Sequence, residues 1–275
     1  MALTLMYITN DPRIALLAEK NGVDRVWIDL ETLGKEQRQK GMNTVKSKHC
    51  IADISKIKPL LSTAQMLVRV NPINPNSKQE IDAVIEAGAD MIMLPMWKSL
   101  EDVKQFLNLV NHRVKTTLLL ETKEAVNIVD SVLENGGFDE IHIGLNDLHL
   151  SYDMTFMFEL LTNGIVESLC NKFKKAQIPY GFGGIAKIGA GMLPSEKIIM
   201  EHYRLGSTRA ILSRSFCDSG ADKNFAEIET EFSKSMEELK NFEKIIPSLT
   251  INDFNKNTED IKCIVNDIVK NKGQK

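Results

Sequence analysis

Short apolar runs alternate with longer amphipathic segments from the first residues to about position 245, and this alternation limits the chain to repeated strand–helix units. Eight runs read as strands, over 3–9, 25–30, 65–71, 91–97, 116–122, 140–146, 178–183 and 209–213. Val26-Trp27-Ile28, Met91-Ile92-Met93-Leu94 and Leu118-Leu119-Leu120 are apolar on both faces, as strands of a parallel sheet covered by helices are. Helix signals fall between them. Ser77-Lys78-Gln79-Glu80 has the pattern of a capping box ahead of Ile81, Val84 and Ile85, with Gly88 able to close that helix. Ser99 is placed to cap the next helix, and Pro194-Ser195 opens another that stops near Gly206. Eight such units in roughly 250 residues are the arithmetic of a TIM barrel, so the expected fold is an α/β (β/α)8 barrel over residues 1–220.

Residues 221–275 are expected to form C-terminal helices. Phe225, Ile228, Phe232, Met236, Leu239 and Phe242 share one face of a helix ended by Pro247, and Ile261, Ile264, Val265 and Ile268 form a stripe on a second, over 258–269. The second is surplus to the barrel, so its stripe packs either on the barrel's own flank or on a neighbouring subunit of a homo-oligomer.

Composition excludes several functions. With 34 basic and 37 acidic side chains the net charge is −3, which lacks the basic field that nucleic-acid binding needs. No apolar stretch approaches the roughly 20 residues of a membrane span, and the start Met1-Ala2-Leu3-Thr4 has no basic region of a signal peptide, so a cytoplasmic location and no membrane partner are expected. Cys50, Cys170, Cys217 and Cys263 are far apart and suggest neither a disulfide framework nor a thiolate zinc site.

Active sites of such barrels lie at the C-terminal strand ends. Here those ends carry Asp29-Leu30-Glu31, Arg69-Val70-Asn71, Glu121-Thr122, Gly144-Leu145-Asn146-Asp147, Gly183-Gly184 and Ser213-Arg214-Ser215. Glu121 and Asp147 on adjacent strands can converge on a cation, and a pair of carboxylates completed by water suits Mg²⁺ or Mn²⁺. Arg69 can grip a 2-oxo carboxylate through two parallel hydrogen bonds, an arrangement that stabilises an enolate. After strands seven and eight, Gly183, Gly184, Lys187 and Arg214 offer a place for phosphate, a nucleotide or a second carboxylate.

The runs Val26-Trp27-Ile28-Asp29-Leu30-Glu31, Leu67-Val68-Arg69-Val70-Asn71, Met93-Leu94-Pro95, Leu119-Leu120-Glu121-Thr122 and Ile143-Gly144-Leu145-Asn146-Asp147-Leu148 occur in this order over roughly residues 20 to 220. As an ordered set they resemble the HpcH/HpaI aldolase and citrate lyase β-subunit family of the phosphoenolpyruvate/pyruvate barrels. The resemblance implies Glu121 and Asp147 as ligands of Mg²⁺ or Mn²⁺ and Arg69 as the residue gripping pyruvate or the equivalent enolate; Asn71, Asn146, Gly183, Gly184 and Arg214, at the strand ends, are the further candidate substrate contacts. It also implies reversible carbon–carbon cleavage through an enolate, and a homo-oligomer with an exchanged C-terminal helix.

The chain departs from the family after strand two. Aldolases of the family carry a histidine directly after the glutamate there, where this chain has Thr32; the citrate lyase side has Asp, followed by a lysine and an arginine, for which Lys35 and Arg38 are the nearest counterparts. His49, in the same long loop, is the candidate acid/base group, and Asp29 or Glu31 would order a water or neighbouring donor. His142 is expected to alternate with the inward positions of strand six and to be a core group or a support to the site. The partners expected are a small 2-oxo acid and an aldehyde or acyl compound, phosphorylated or not. Two further readings stand beside the aldolase: a malyl- or citramalyl-CoA lyase of the citrate lyase type, and a ligand-binding barrel without catalysis.

Overall fold

The computed structural model describes residues 2–34, 49–217 and 224–272. Eight parallel strands close into a barrel in chain order: β1 Thr4–Ile8, β2 Arg25–Asp29, β3 Gln65–Arg69, β4 Met91–Leu94, β5 Lys115–Leu120, β6 Glu140–Ile143, β7 Tyr180–Ile185 and β8 Arg209–Leu212. β8 pairs with β1 through Thr4–Arg209 to Tyr7–Leu212, so the sheet has no free edge. Around it run α1 Pro12–Lys20, α2 Ile51–Ile57, α3 Ser77–Glu86, α4 Leu100–Val110, α5 Lys123–Asn135, α6 Leu145–Ser151, α7 Glu159–Thr162, α8 Ile165–Lys175, α9 Ser195–Leu205, α10 Phe225–Ile245 and α11 Ile251–Lys272.

Two hydrophobic cores follow from strand alternation. Outward residues such as Val26, Ile28, Val68, Ile92 and Leu118 pack under the helices. Inward residues Met6, Trp27, Leu67, Met91, Met93 and Leu119 fill the barrel. Below this plug, Arg25, Glu140 and Arg209, each the first residue of its strand, form a buried ion cluster: Arg25 pairs with Glu140, and Arg209 Nε donates to the same carboxylate. His142, two residues past Glu140 and on the same face, belongs to the barrel interior, contrary to the expectation from sequence. Its Nε2–H donates to the Gly183 carbonyl oxygen at 3.1 Å.

Other local expectations are corrected. Asn76, not Ser77, precedes α3; the Ser77 hydroxyl accepts from the Asn74 N–H, and Glu80 turns to Asn71 instead of completing a capping box. Ser99 does cap α4, with Asp102 returning the bond. β7 lies two residues further on than its apolar run suggests and contains both Gly183 and Gly184, with a register shift between Gly181 and Gly184. α11 begins seven residues before the apolar stripe. It lies along α9 of its own chain: Ile261 and Val265 are buried, Lys197 pairs with Asp260, and Asn257 Nδ2 donates to the Lys197 carbonyl. Among the described residues no helix is long and apolar enough to cross a membrane, and none of the four cysteines is in a disulfide.

Candidate active site

The C-terminal mouth of the barrel collects Asp29 and Glu31 from the end of β2, Arg69 from β3, Glu121 just after β5 and Asp147 from the first turn of α6. Register places Asp29 directly beside Arg69 on the neighbouring strand. The Arg69 guanidinium meets Asp29 in a two-bond fork, with Nε and Nη2 each 2.9 Å from a carboxylate oxygen. Its Nη1 is 3.3 Å from Glu31, and its cationic carbon lies 5.3 Å from the centre of the Trp27 ring. Buried among these acids, Arg69 stays protonated: the charges of Asp29, Glu31 and Glu121 outweigh the desolvation that opposes it.

Glu121 is 2% exposed. Burial first, then the charges of Asp147 and Glu31, push its carboxyl well above the usual range, while Arg69 and the Met96 N–H pull the other way. That N–H donates to Glu121 Oε1 at 3.0 Å, and Met96 adopts a left-handed backbone, φ +53°, to present it. Gly144 makes the necessary space: a Cβ there would stand 2.9 Å from Glu121 Oε2. Asp147 and Asn146 stand on helix α6, not on an extension of β6, because the chain turns at Gly144 immediately after Ile143. Asp147 is half-buried at the mouth and Asn146 is exposed.

His49 comes to the same rim. Its Nδ1 accepts the Asp29 N–H at 3.0 Å, just beyond the point where β1 stops pairing with β2, which puts the proton of the neutral ring on Nε2. Lys35 and Arg38 lie outside the described residues.

The remaining predicted residues are engaged elsewhere. Asn71 holds the loop after β2: its Oδ1 accepts from the N–H groups of Thr32 and Leu33 at 2.9 and 3.0 Å, and its Nδ2 donates to Glu80 at 2.7 Å. Gly183, at φ +51°, lies where a Cβ would come within 2.6 Å of Leu145, so it allows α6 to approach the barrel. Gly184 packs against the backbone of β8. Lys187 pairs with Glu231 of α10, and Glu196 stands in the first turn of α9, accepting from Gly189. Arg214 is exposed in a short 3-10 turn, Arg214–Phe216. Met96 and Gly144 were missed from sequence, although a glycine directly after a strand and facing a strand-end glutamate is a usable signal.

Residues 4–157 match the family model for HpcH/HpaI aldolase/citrate lyase. The chain belongs to this family. Within the HpcH/HpaI family model fall all four mouth carboxylates and Arg69, whereas β7, β8 and the C-terminal helices lie beyond it. Among solved structures, an HpcH/HpaI aldolase from Desulfitobacterium hafniense DCB-2 superposes with TM-score 0.59 at 13% identity, over 87% of this chain and 93% of that one. An HpcH/HpaI aldolase/citrate lyase family protein from Burkholderia cenocepacia J2315 gives 0.58 at 14%, over 77% and 87%. Citrate synthase SbnG gives 0.58 at 15%, over 87% and 94%. These likenesses extend the shared fold past the family match. No curated protein matches the chain.

Proposed function

We propose that this family member is a divalent-metal-dependent carbon–carbon lyase that forms or consumes the enolate of pyruvate or a related 2-oxo acid. The observation that carries the proposal is the convergence at the mouth: Arg69 is forked to Asp29 and sits beside Glu31, and Glu121 and Asp147 lie close enough to act on each other. Among the described residues no three His, Cys, Asp or Glu side chains form a complete metal cage. A pair of hard oxygen donors that leaves room for water and substrate oxygens fits Mg²⁺ or Mn²⁺, and Glu121 and Asp147 would be that pair. When bound, the ion supplies Lewis-acid stabilisation of the oxygen on which enolate charge develops.

The chain's own residues do the rest. Two of the five N–H donors of Arg69 are held by Asp29, and with the ion pair to Glu31 they fix the guanidinium plane from which other donors can meet a substrate carboxylate. Met96 fixes Glu121. In the condensing direction a proton leaves the methyl carbon of pyruvate, that carbon bonds to the aldehyde carbon, and the aldehyde oxygen ends as a hydroxyl; cleavage is the reverse. His49, carrying its proton on Nε2, serves as a hydrogen-bond donor in place of the histidine absent at Thr32.

The test is oxaloacetate decarboxylation and retro-aldol turnover with Mg²⁺ or Mn²⁺. Glu121→Gln is expected to lower both by about 10³-fold, on the scale of losing a principal electrostatic stabiliser. Full activity in that variant would sink the assignment.

A further inference from the structure

Three polar side-chain atoms inside the barrel have no hydrogen-bond partner among the described residues: Trp27 Nε1, Thr117 Oγ1 and His142 Nδ1. All three residues point inward, and they are exposed by only 2%, 1% and 1%. A buried polar atom left unbonded is costly, and here three of them lie on one inner surface.

The topology brings them together. β2 and β6 stand opposite each other in the closed ring of eight strands, and Arg25 reaches Glu140 across it. Trp27 and His142 lie two residues further along the same two strands, so they face each other one layer above that ion pair. Thr117 on β5 is the register partner of Glu140, and Leu119 that of His142, which makes Thr117 the diagonal neighbour of His142. The inward residues around them, Met6, Leu67, Met93 and Leu119, are apolar.

Their chemistry is complementary. The indole nitrogen only donates. His142 gives its Nε2–H to the Gly183 carbonyl, and burial together with the guanidinium groups of Arg209 and Arg25 keeps its ring neutral, so Nδ1 only accepts. The Thr117 hydroxyl does either. A molecule joining the three must accept from Trp27, donate to His142 and bond Thr117, and water does all of this. An anion would face the lone pair of His142, and a cation would face the indole N–H with Arg25 and Arg209 below it.

We propose that one water molecule is held inside the barrel by Trp27, Thr117 and His142, and that it fixes the indole on whose face Arg69 lies. The cationic carbon of Arg69 is 5.3 Å from the centre of that ring, which makes Trp27 a positioning residue for Arg69. The role toward Arg69 rests on the lyase reading; the water does not.

A crystal structure of the intact protein that resolves ordered waters is expected to show one within about 3.2 Å of all three atoms. In solution the Trp27 indole proton, assigned by its loss in Trp27→Phe, should give a rotating-frame cross-peak to long-lived water. The cross-peak should persist in Thr117→Ser, which keeps the hydroxyl, and vanish in Thr117→Val. No water at that position in the intact protein, or a cross-peak undiminished in Thr117→Val, overturns the site, and the crystal structure decides it should Thr117→Val not fold. For the positioning role, Thr117→Val should raise KM for oxaloacetate about threefold, the scale of one loosened cation–π contact, with kcat unchanged and Thr117→Ser at the intact value. Loss of the water with KM unchanged overturns the role of Trp27 and leaves the water site. A bound water in an intact protein that does not decarboxylate oxaloacetate would reject the lyase reading alone.

Discussion

At the N-terminal end of the barrel, Arg25 and Arg209 close on the buried carboxylate of Glu140; at the C-terminal end, Arg69 meets Asp29, Glu31 and Glu121, with Asp147 beside Glu121. The lower cluster draws on β2, β6 and β8 and the upper on β2, β3, the residue after β5 and the first turn of α6, so they share only β2, and most of their side chains are hidden from water. The lower one is closed by bonds among its own members, and Met6, Trp27, Leu67, Met91, Met93 and Leu119 fill the barrel between the two. At the upper one, like charges raise the cost of ionising Glu121, a condition that a bound cation relieves. The two ends differ in what crowds each buried carboxylate: Glu140 is met by two guanidinium groups, whereas Glu121 is buried beside Asp147 and Glu31 as well as Arg69.

The largest effect that would break the comparison concerns the lower cluster. Glu140→Gln leaves two buried guanidinium groups without their anion and should lower stability by about 3–5 kcal/mol, measured by urea unfolding. Turnover by the protein that remains folded should be unchanged; a stability loss under about 1 kcal/mol would mean the cluster is not the closed unit described.

Arg69→Lys sharpens the other side. An ammonium cannot reproduce the fork to Asp29, so orientation suffers, and kcat/KM for oxaloacetate should fall by about 10²-fold, near 2.7 kcal/mol, with little change in unfolding. An equal loss of stability would place Arg69 with the structural cluster.

A third buried polar region, neutral in charge, gives the smallest effect. His202 stacks on Phe182 with ring centres 3.8 Å apart and contacts Ser207, and burial lowers its pKa to about 3; that of His142 is lowered to about 4. In the unfolded chain each titrates near 6.5. The unfolded state therefore takes up protons that the folded state refuses, and stability is full above about pH 6.5 and lost as pH falls toward the folded values. His202→Phe should flatten the slope of stability between pH 6 and 4 by about 1.4 kcal/mol per pH unit. An unchanged slope would show that the ring is already charged in the fold.

Much of this was legible in the sequence. Parallel strands covered on both faces leave long apolar runs, so all eight could be found, and the acids at their ends marked the mouth. What escaped depends on three-dimensional approach. The roles of Met96 and Gly144 arise from contact with Glu121 across adjacent loops, and those of Arg25, Glu140 and Arg209 from strands that meet only when the barrel closes. The position of Asn71 at a strand end showed its reach and not its bonds to Thr32, Leu33 and Glu80. β7 was misplaced because glycines at 181, 183 and 184 interrupt the apolar pattern that reveals a strand.

The central claim is that Glu121 and Asp147 at the mouth hold a cation. Titrating Mn²⁺ into the protein and following the free ion by electron paramagnetic resonance tests it without any assumption about substrate. One bound Mn²⁺ per chain, displaced by Mg²⁺ and lost in Glu121→Gln while Glu140→Gln retains it, is the predicted result. Failure to bind, or binding undiminished in Glu121→Gln, would contradict the account.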